Sequence, residues 1–144
     1  MTNLSEVSKA KNIVIKIGSS LLMNGNRFNS IWLKSFIDDI LYLKSKRKNL
    51  VIVASGAVSL GRKYLNIKKE KISINTKQAC AACGQVILMK NFMRHFEARK
   101  IKVAQILLTF SDTEDRRKSL NSRETIKTLL ELKIIPIINE NDSV

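Results

Sequence analysis

Four short apolar runs divide the chain, and between them apolar residues recur every three or four positions. The runs are 12–17, 50–54, 102–109 and 134–138. Each is short and rich in β-branched residues, which predicts buried strands. Gly18-Ser19-Ser20 breaks the first run and Ser55-Gly56-Ala57 the second. A turn is expected at Asn24-Gly25-Asn26. Ser30 is placed to cap a helix whose inner face is Leu33, Phe36, Ile37, Ile40 and Leu41. That helix closes in the basic stretch 44–49, where cations suit the dipole. Residues 57–65 predict a short helix and 66–75 a polar loop. The longest helix spans 76–99, with Ala79, Ala82, Cys83, Val86, Met89, Met93 and Phe96 as its inner face. Gly84 within it costs about 1 kcal/mol of helix propensity relative to Ala, which argues for close packing or function there. Residues 110–118 are a charged loop. Asn121 and Glu124 form a capping-box pattern before a helix whose inner face is Ile126, Leu129 and Leu130.

The order is β-α-β-α-β-α-β. Continuous rather than alternating apolar strands predict an α/β fold, a parallel sheet covered on both faces. Pro136 suits an edge of that sheet, or a position where no backbone N–H is needed.

Composition narrows the class. At 144 residues the chain has room for one core. Five Gly and one Pro exclude a collagen-like chain and argue against wholesale disorder. No apolar run reaches membrane-spanning length, and no apolar region precedes Ile13 to make a secretory signal. Residues 1–11 read as a flexible N-terminus. With two cysteines in an apolar helical pattern, a cytoplasmic protein with reduced thiols is expected. The net charge is +14. Eleven Lys/Arg against two Glu lie within 62–102. Such a field attracts phosphorylated metabolites, anionic membranes or nucleic acid and selects among none of them.

Candidate chemistry concentrates where strands end, the usual ligand edge of a parallel sheet. Lys16 lies in the first strand just before Gly18-Ser19-Ser20, where its ammonium and the backbone donors of the turn suit one anion. Its structural alternative is a lysine snorkelling from an edge strand. No Walker A or GxGxxG pattern is present. Ser55 and Gly56 follow the second strand; Gly56 permits close approach of a ligand and Ser55 can hydrogen-bond it. Asn139 and Asp142 follow the fourth, an amide and a carboxylate suited to a substrate ammonium or to plain strand-end capping. Ser111-Asp112 and Asp115-Arg116-Arg117 suit a ligand, a subunit partner or solvent. Cys80-Ala81-Ala82-Cys83 is formally CxxC, but His95 is the sole histidine and the pair sits inside a helix. It reads as core, with no metal site expected. No Ser-His-Asp or Cys-His set is evident.

Several stretches resemble the N-terminal part of the glutamate 5-kinases, within the amino-acid kinase family. They are 14–22, 51–58, Lys77-Gln78-Ala79, Ala81-Ala82 and Gly84-Gln85. Gln105–Thr109, Asn121–Thr125 and the closing Pro136–Val144 complete the match. The resemblance runs from about residue 12 to the end. It implies a three-layer parallel-sheet kinase fold, present as its N-terminal β-α-β-α-β-α-β part. It also implies transfer of the γ-phosphoryl group of ATP, carried with Mg²⁺, to the side-chain carboxylate of L-glutamate, the first step of proline biosynthesis. By position, Lys16 is the implied catalytic residue. Lys16, Gly18 and Ser19 are implied to hold the nucleotide phosphates, and Ser55, Gly56, Asn139 and Asp142 the glutamate. The family's nucleotide-gripping half and its C-terminal PUA domain have no counterpart here. The 144 residues alone are therefore expected to be inactive or nearly so, with a homo-oligomer or a complementing C-terminal fragment as conceivable partners. The alternatives are another amino-acid kinase, a non-catalytic basic remnant, or a nucleic-acid-binding protein; membrane binding and specific nucleic-acid binding are not expected.

Overall fold

The computed structural model describes residues 4–24 and 27–144. Helix α1 (Leu4–Lys9) precedes strand β1 (Asn12–Ile17). The polar start of the chain thus carries a short helix, and the Lys48 ammonium donates to the Ser8 and Ala10 carbonyls at 2.6 and 2.7 Å. A short helix α2 (Ser19–Leu22) and a two-stranded ribbon, β2 (Met23–Asn24) with β3 (Arg27–Phe28), follow. The expected turn falls partly on residues 25 and 26, outside the described residues. Next come α3 (Ser30–Ser45), β4 (Asn49–Ala54), α4 (Ala57–Tyr64) and α5 (Ile74–Glu97). The chain continues through β5 (Val103–Leu108), α6 (Phe110–Glu114), α7 (Arg116–Glu131) and β6 (Ile135–Glu140).

The main sheet is parallel, in the order β1-β4-β6-β5. Connections from β1 to β4 and from β4 to β5 run one way across it; β5 to β6 runs back. Right-handed crossovers therefore place α3, α4 and α5 on one face and α7 on the other. The first face holds the core. Ile17, Leu50, Ile52, Ala54, Ile135 and Ile137 meet Leu33, Ile37 and Ile40 of α3 and Leu88, Phe92 and Phe96 of α5. On the second face α7 buries none of its own residues, and Val14 of β1 is 66% exposed. Helices thus stand on both faces as expected, but the second layer does not cover β1.

Pro136 occupies a central strand. The Ile135 N–H donates toward β5, to the Lys102 carbonyl at 3.0 Å, so the neighbouring Pro136 nitrogen turns toward β4. Pairing between β4 and β6 starts one residue later, at Ile52 with Ile137. The missing donor therefore costs the ladder nothing.

Three element starts differ from expectation. Asn29, not Ser30, caps α3 by accepting from the Trp32 N–H at 3.2 Å. Asp115 caps α7 by accepting from the Lys118 N–H at 2.8 Å, which places Asn121 in mid-helix. The capping box lies instead at Thr109 and Asp112, turning part of the expected loop into α6. The inner face of α5 is also rotated. Cys80, Ala81, Gly84, Leu88, Met89, Phe92, His95 and Phe96 are buried, whereas Val86 is 69% and Met93 45% exposed. The helix is apolar nearly all round, and the small residues decide which side turns inward. A Cβ on Gly61 of α4 would stand 1.7 Å from the Cys80 carbonyl oxygen, and one on Gly84 would stand 1.6 Å from that of Ala57. The two helices cross backbone to backbone.

Helices α3, α4, α5 and α7 all end with a left-handed residue that is not glycine: Arg47, Asn66, Lys100 and Lys133. Each closes a Schellman motif. In α7, for instance, the Ile134 N–H donates to the Leu129 carbonyl at 2.9 Å and the Lys133 N–H to that of Leu130 at 3.0 Å.

Candidate active site

Parallel strands deliver their C-terminal ends to one edge, so Gly18, Ser55, Thr109 and Asn141 follow β1, β4, β5 and β6 side by side. The Ser55 N–H and hydroxyl both donate to the Ile17 carbonyl, each at 3.2 Å. This ties the end of β4 to the end of β1. Gly56 then adopts φ +117°, and a Cβ there would approach the Ser19 Cβ to 3.2 Å and its Cα to 3.4 Å. That conformation and that contact both favour glycine. The Gly18-Ser19 and Ser55-Gly56 turns, 37 residues apart in sequence, thus touch at the mouth of the sheet.

Asn139 is buried on the core face. Its Nδ2 donates to Gln85 Oε1 of α5 at 2.6 Å, and its Oδ1 accepts the Glu140 N–H at 2.9 Å. Asp142 borders a small cavity with Ala81, Ala82 and Gln85. Gln85 is thus the hub of this half of the edge, and its buried Nε2 has no partner among the described residues. Pattern reading did not single it out as a site residue; the one available signal was a polar side chain beside Ala81, Ala82 and Leu88 on a helix that is otherwise apolar there.

Lys16 stands apart from both groups. It is level with Val53, and through it Ile138, on the face opposite Asn139. It is exposed, and no hydrogen bond or ion pair joins it to another described residue. Because β1 is an edge strand, burial does not by itself demand a partner for Lys16. An unpaired ammonium beside a turn rich in hydroxyl and backbone donors suits an anion such as a nucleotide phosphate. Among the described residues no three His, Cys, Asp or Glu side chains gather where they could hold a metal ion.

Asp112 is committed elsewhere. It accepts the Thr109 hydroxyl at 2.7 Å and the Thr109 N–H at 2.8 Å, and pairs with Lys118 at 3.2 Å. The Thr109 hydroxyl, then its N–H, then Lys118 hold the carboxyl down at about 2. Cys80 is buried, Cys83 half-buried, and both are free. No helix among the described residues is long and apolar enough to cross a membrane.

The parallel sheet and its strand-end turns define an α/β scaffold, and sequence comparison gives it a family. The profile of the Amino acid kinase family matches residues 11–144, and the chain belongs to that family. Its relatives include a glutamate 5-kinase of Paracoccus denitrificans, 40% identical over 139 residues, which are 96% of this chain and 38% of the relative. The glutamate 5-kinase of Pelagibacter ubique is 46% identical over 136 residues, 94% of this chain and 37% of its own length. That of Allorhizobium ampelinum is 44% identical over 142 residues, 98% and 36% respectively. The chain therefore spans a little over a third of the length of these relatives.

Proposed function

We propose that the chain is the phosphate- and substrate-gripping part of a glutamate 5-kinase. In this reading the γ-phosphoryl group of ATP passes to the side-chain carboxylate of L-glutamate, the opening step of proline biosynthesis. The contact of the Gly18-Ser19 turn with Ser55-Gly56 carries the reading, because it sets an anion-favouring turn against a second strand-end turn in a chain whose relatives bear that name.

The attacking carboxylate is ionised at neutral pH, so no general base is required. What the site must supply is positive potential and alignment between two anions. Lys16 and the donors of Gly18 and Ser19 offset the charge on the transferring phosphoryl group. Ser55, Gly56, Asn139 and Asp142 hold the glutamate, with Gln85 fixing the Asn139 amide. Mg²⁺, carried by the nucleotide, would supply further charge neutralisation at the phosphates; among the described residues no carboxylate cluster is placed to hold it.

The test is a chimera in which this chain replaces the matched segment of the Pelagibacter ubique relative. Glutamate-dependent ADP release is expected, and Lys16→Ala should lower it by about 10²–10³-fold, the usual effect of removing one charge-stabilising donor. A folded chimera that prefers aspartate, N-acetylglutamate or carbamate would overturn the substrate assignment. The 144 residues alone should release little or no ADP, since the family's nucleotide-gripping segments have no counterpart in them.

A further inference from the structure

Next to the Gly18-Ser19-Ser20 turn lies a cavity of about 630 Å³, bounded by α2, α4 and the loop after α4. Three hydroxyls, of Ser19, Ser20 and Ser59, and three cations, of Arg62, Lys63 and Lys68, line it, and no carboxylate does. Among the described residues the hydroxyls and both lysines have no hydrogen-bond or ion-pair partner. Arg62 is braced: one guanidinium nitrogen donates to the Lys69 carbonyl, and the Arg62 carbonyl accepts the Ile67 N–H at 2.8 Å. The brace holds the loop carrying Lys68 at the cavity wall. A second cavity of about 500 Å³ shares Asn66, Ile67 and Lys68 with the first and adds Lys69 and Lys71.

Three cations around one concavity repel one another, and neither wall offers an acid to offset them. An oxyanion relieves that repulsion and takes up the donors together. The first cavity alone lies within the usual size range of small-molecule sites. No aromatic ring lines either cavity, so there is no platform on which successive bases of a nucleic acid could stack. We propose that this pair of cavities is a binding site for a small phosphate-bearing molecule, of pyrophosphate or phosphate-ester type. The site shares Ser19 with the turn read above as holding the transferring phosphoryl group, but Lys16 does not line it, and Arg62, Lys63 and Lys68 have no part in that reading.

The test is calorimetric titration of the 144-residue chain with pyrophosphate at about 150 mM NaCl, where surface fields are screened beyond about 8 Å. Saturable 1:1 binding is expected. The double substitution Lys63→Gln with Lys68→Gln should weaken it at least tenfold, and Lys102→Gln, an exposed lysine that lines neither cavity, should leave it unchanged within twofold. Both lysines are exposed, so the double variant should keep the parent's melting temperature. Parallel titrations with ADP and inorganic phosphate separate the sources. Tighter, Lys63- and Lys68-dependent binding of ADP marks a nucleotide as the ligand, and equal or weaker binding marks a non-nucleotide phosphate. Absence of saturable binding overturns the proposal. So does binding lost with Lys16→Gln but kept in the double variant, or binding seen only with an oligonucleotide.

Discussion

The two faces of the sheet are held very differently. On one, α3, α4 and α5 bury large side chains such as Phe92 and Phe96, and α4 meets α5 at the backbone. On the other, α7 lies over β6 with its inner residues, Ile126, Leu129 and Leu130, only half-buried. Apolar burial scales with area removed from water, so the first face supplies most of the stability. The strand-end turns inherit this asymmetry. Asn139 and Gly56 are anchored on the strong side, through Gln85 and through α4. Lys16 projects from the weak one.

Substitutions should expose that contrast. Phe92→Ala empties the strong face and should cost about 3–5 kcal/mol, read as a large fall in the denaturation midpoint. Gly84→Ala drives a methyl group into the Ala57 carbonyl and should cost about 3 kcal/mol, the upper end of the usual range for overpacking. If Gly84→Ala melts with the parent, the close crossing of α4 and α5 is not what holds them. Leu129→Ala on the weak face should cost roughly 1 kcal/mol, and α7 amides should exchange with deuterium well before those of α5. Lys133→Gly at the end of α7 acts in the opposite sense. It removes a left-handed non-glycine and a like charge that, after burial, is the second cause lowering the Lys44 pKa. A gain of about 1 kcal/mol is expected, with the Lys44 pKa moving up toward its ordinary value. The smallest effect concerns pH. Asp112 has a folded pKa of about 2, below the unfolded carboxylate near 3.9. Its stabilisation of α6 is therefore complete above the unfolded value and is lost as pH falls through the folded one. In Asp112→Asn that acid-range component of the melting curve should vanish.

Much of this was legible in the sequence, for reasons that differ by residue. The strands were readable because β-branched runs pack well in a sheet. The positions after them, Gly18, Ser19, Ser55 and Gly56, were readable because a parallel strand fixes where its end lies. The partnership of Gln85 with Asn139 was not, since it joins residues 54 positions apart. The inner face of α5 was misread because apolar residues surround the helix, and the choice is made by which side can approach α4. The ends of α4 and α5 were readable to within two residues, although no glycine marks them and Asn66 and Lys100 take the left-handed position where glycine is usual. The starts of α3 and α7 were misplaced because Asn29 and Asp115 compete with equally good caps nearby.

The crossing at Gly61 and Gly84 also bears on how such a sequence can change over time. Substitutions at exposed positions away from caps and close contacts usually change stability by no more than about 0.5 kcal/mol. Positions 61 and 84 have no such latitude, because even a methyl group there would push apart two helices. One of them begins at Gly56 and the other carries Gln85. Drift that spares these two glycines leaves Gly56 and the Gln85–Asn139 pair in register. Loss of either would disturb Gly56 and the Gln85–Asn139 pair together, so neither half of this edge can be given up alone.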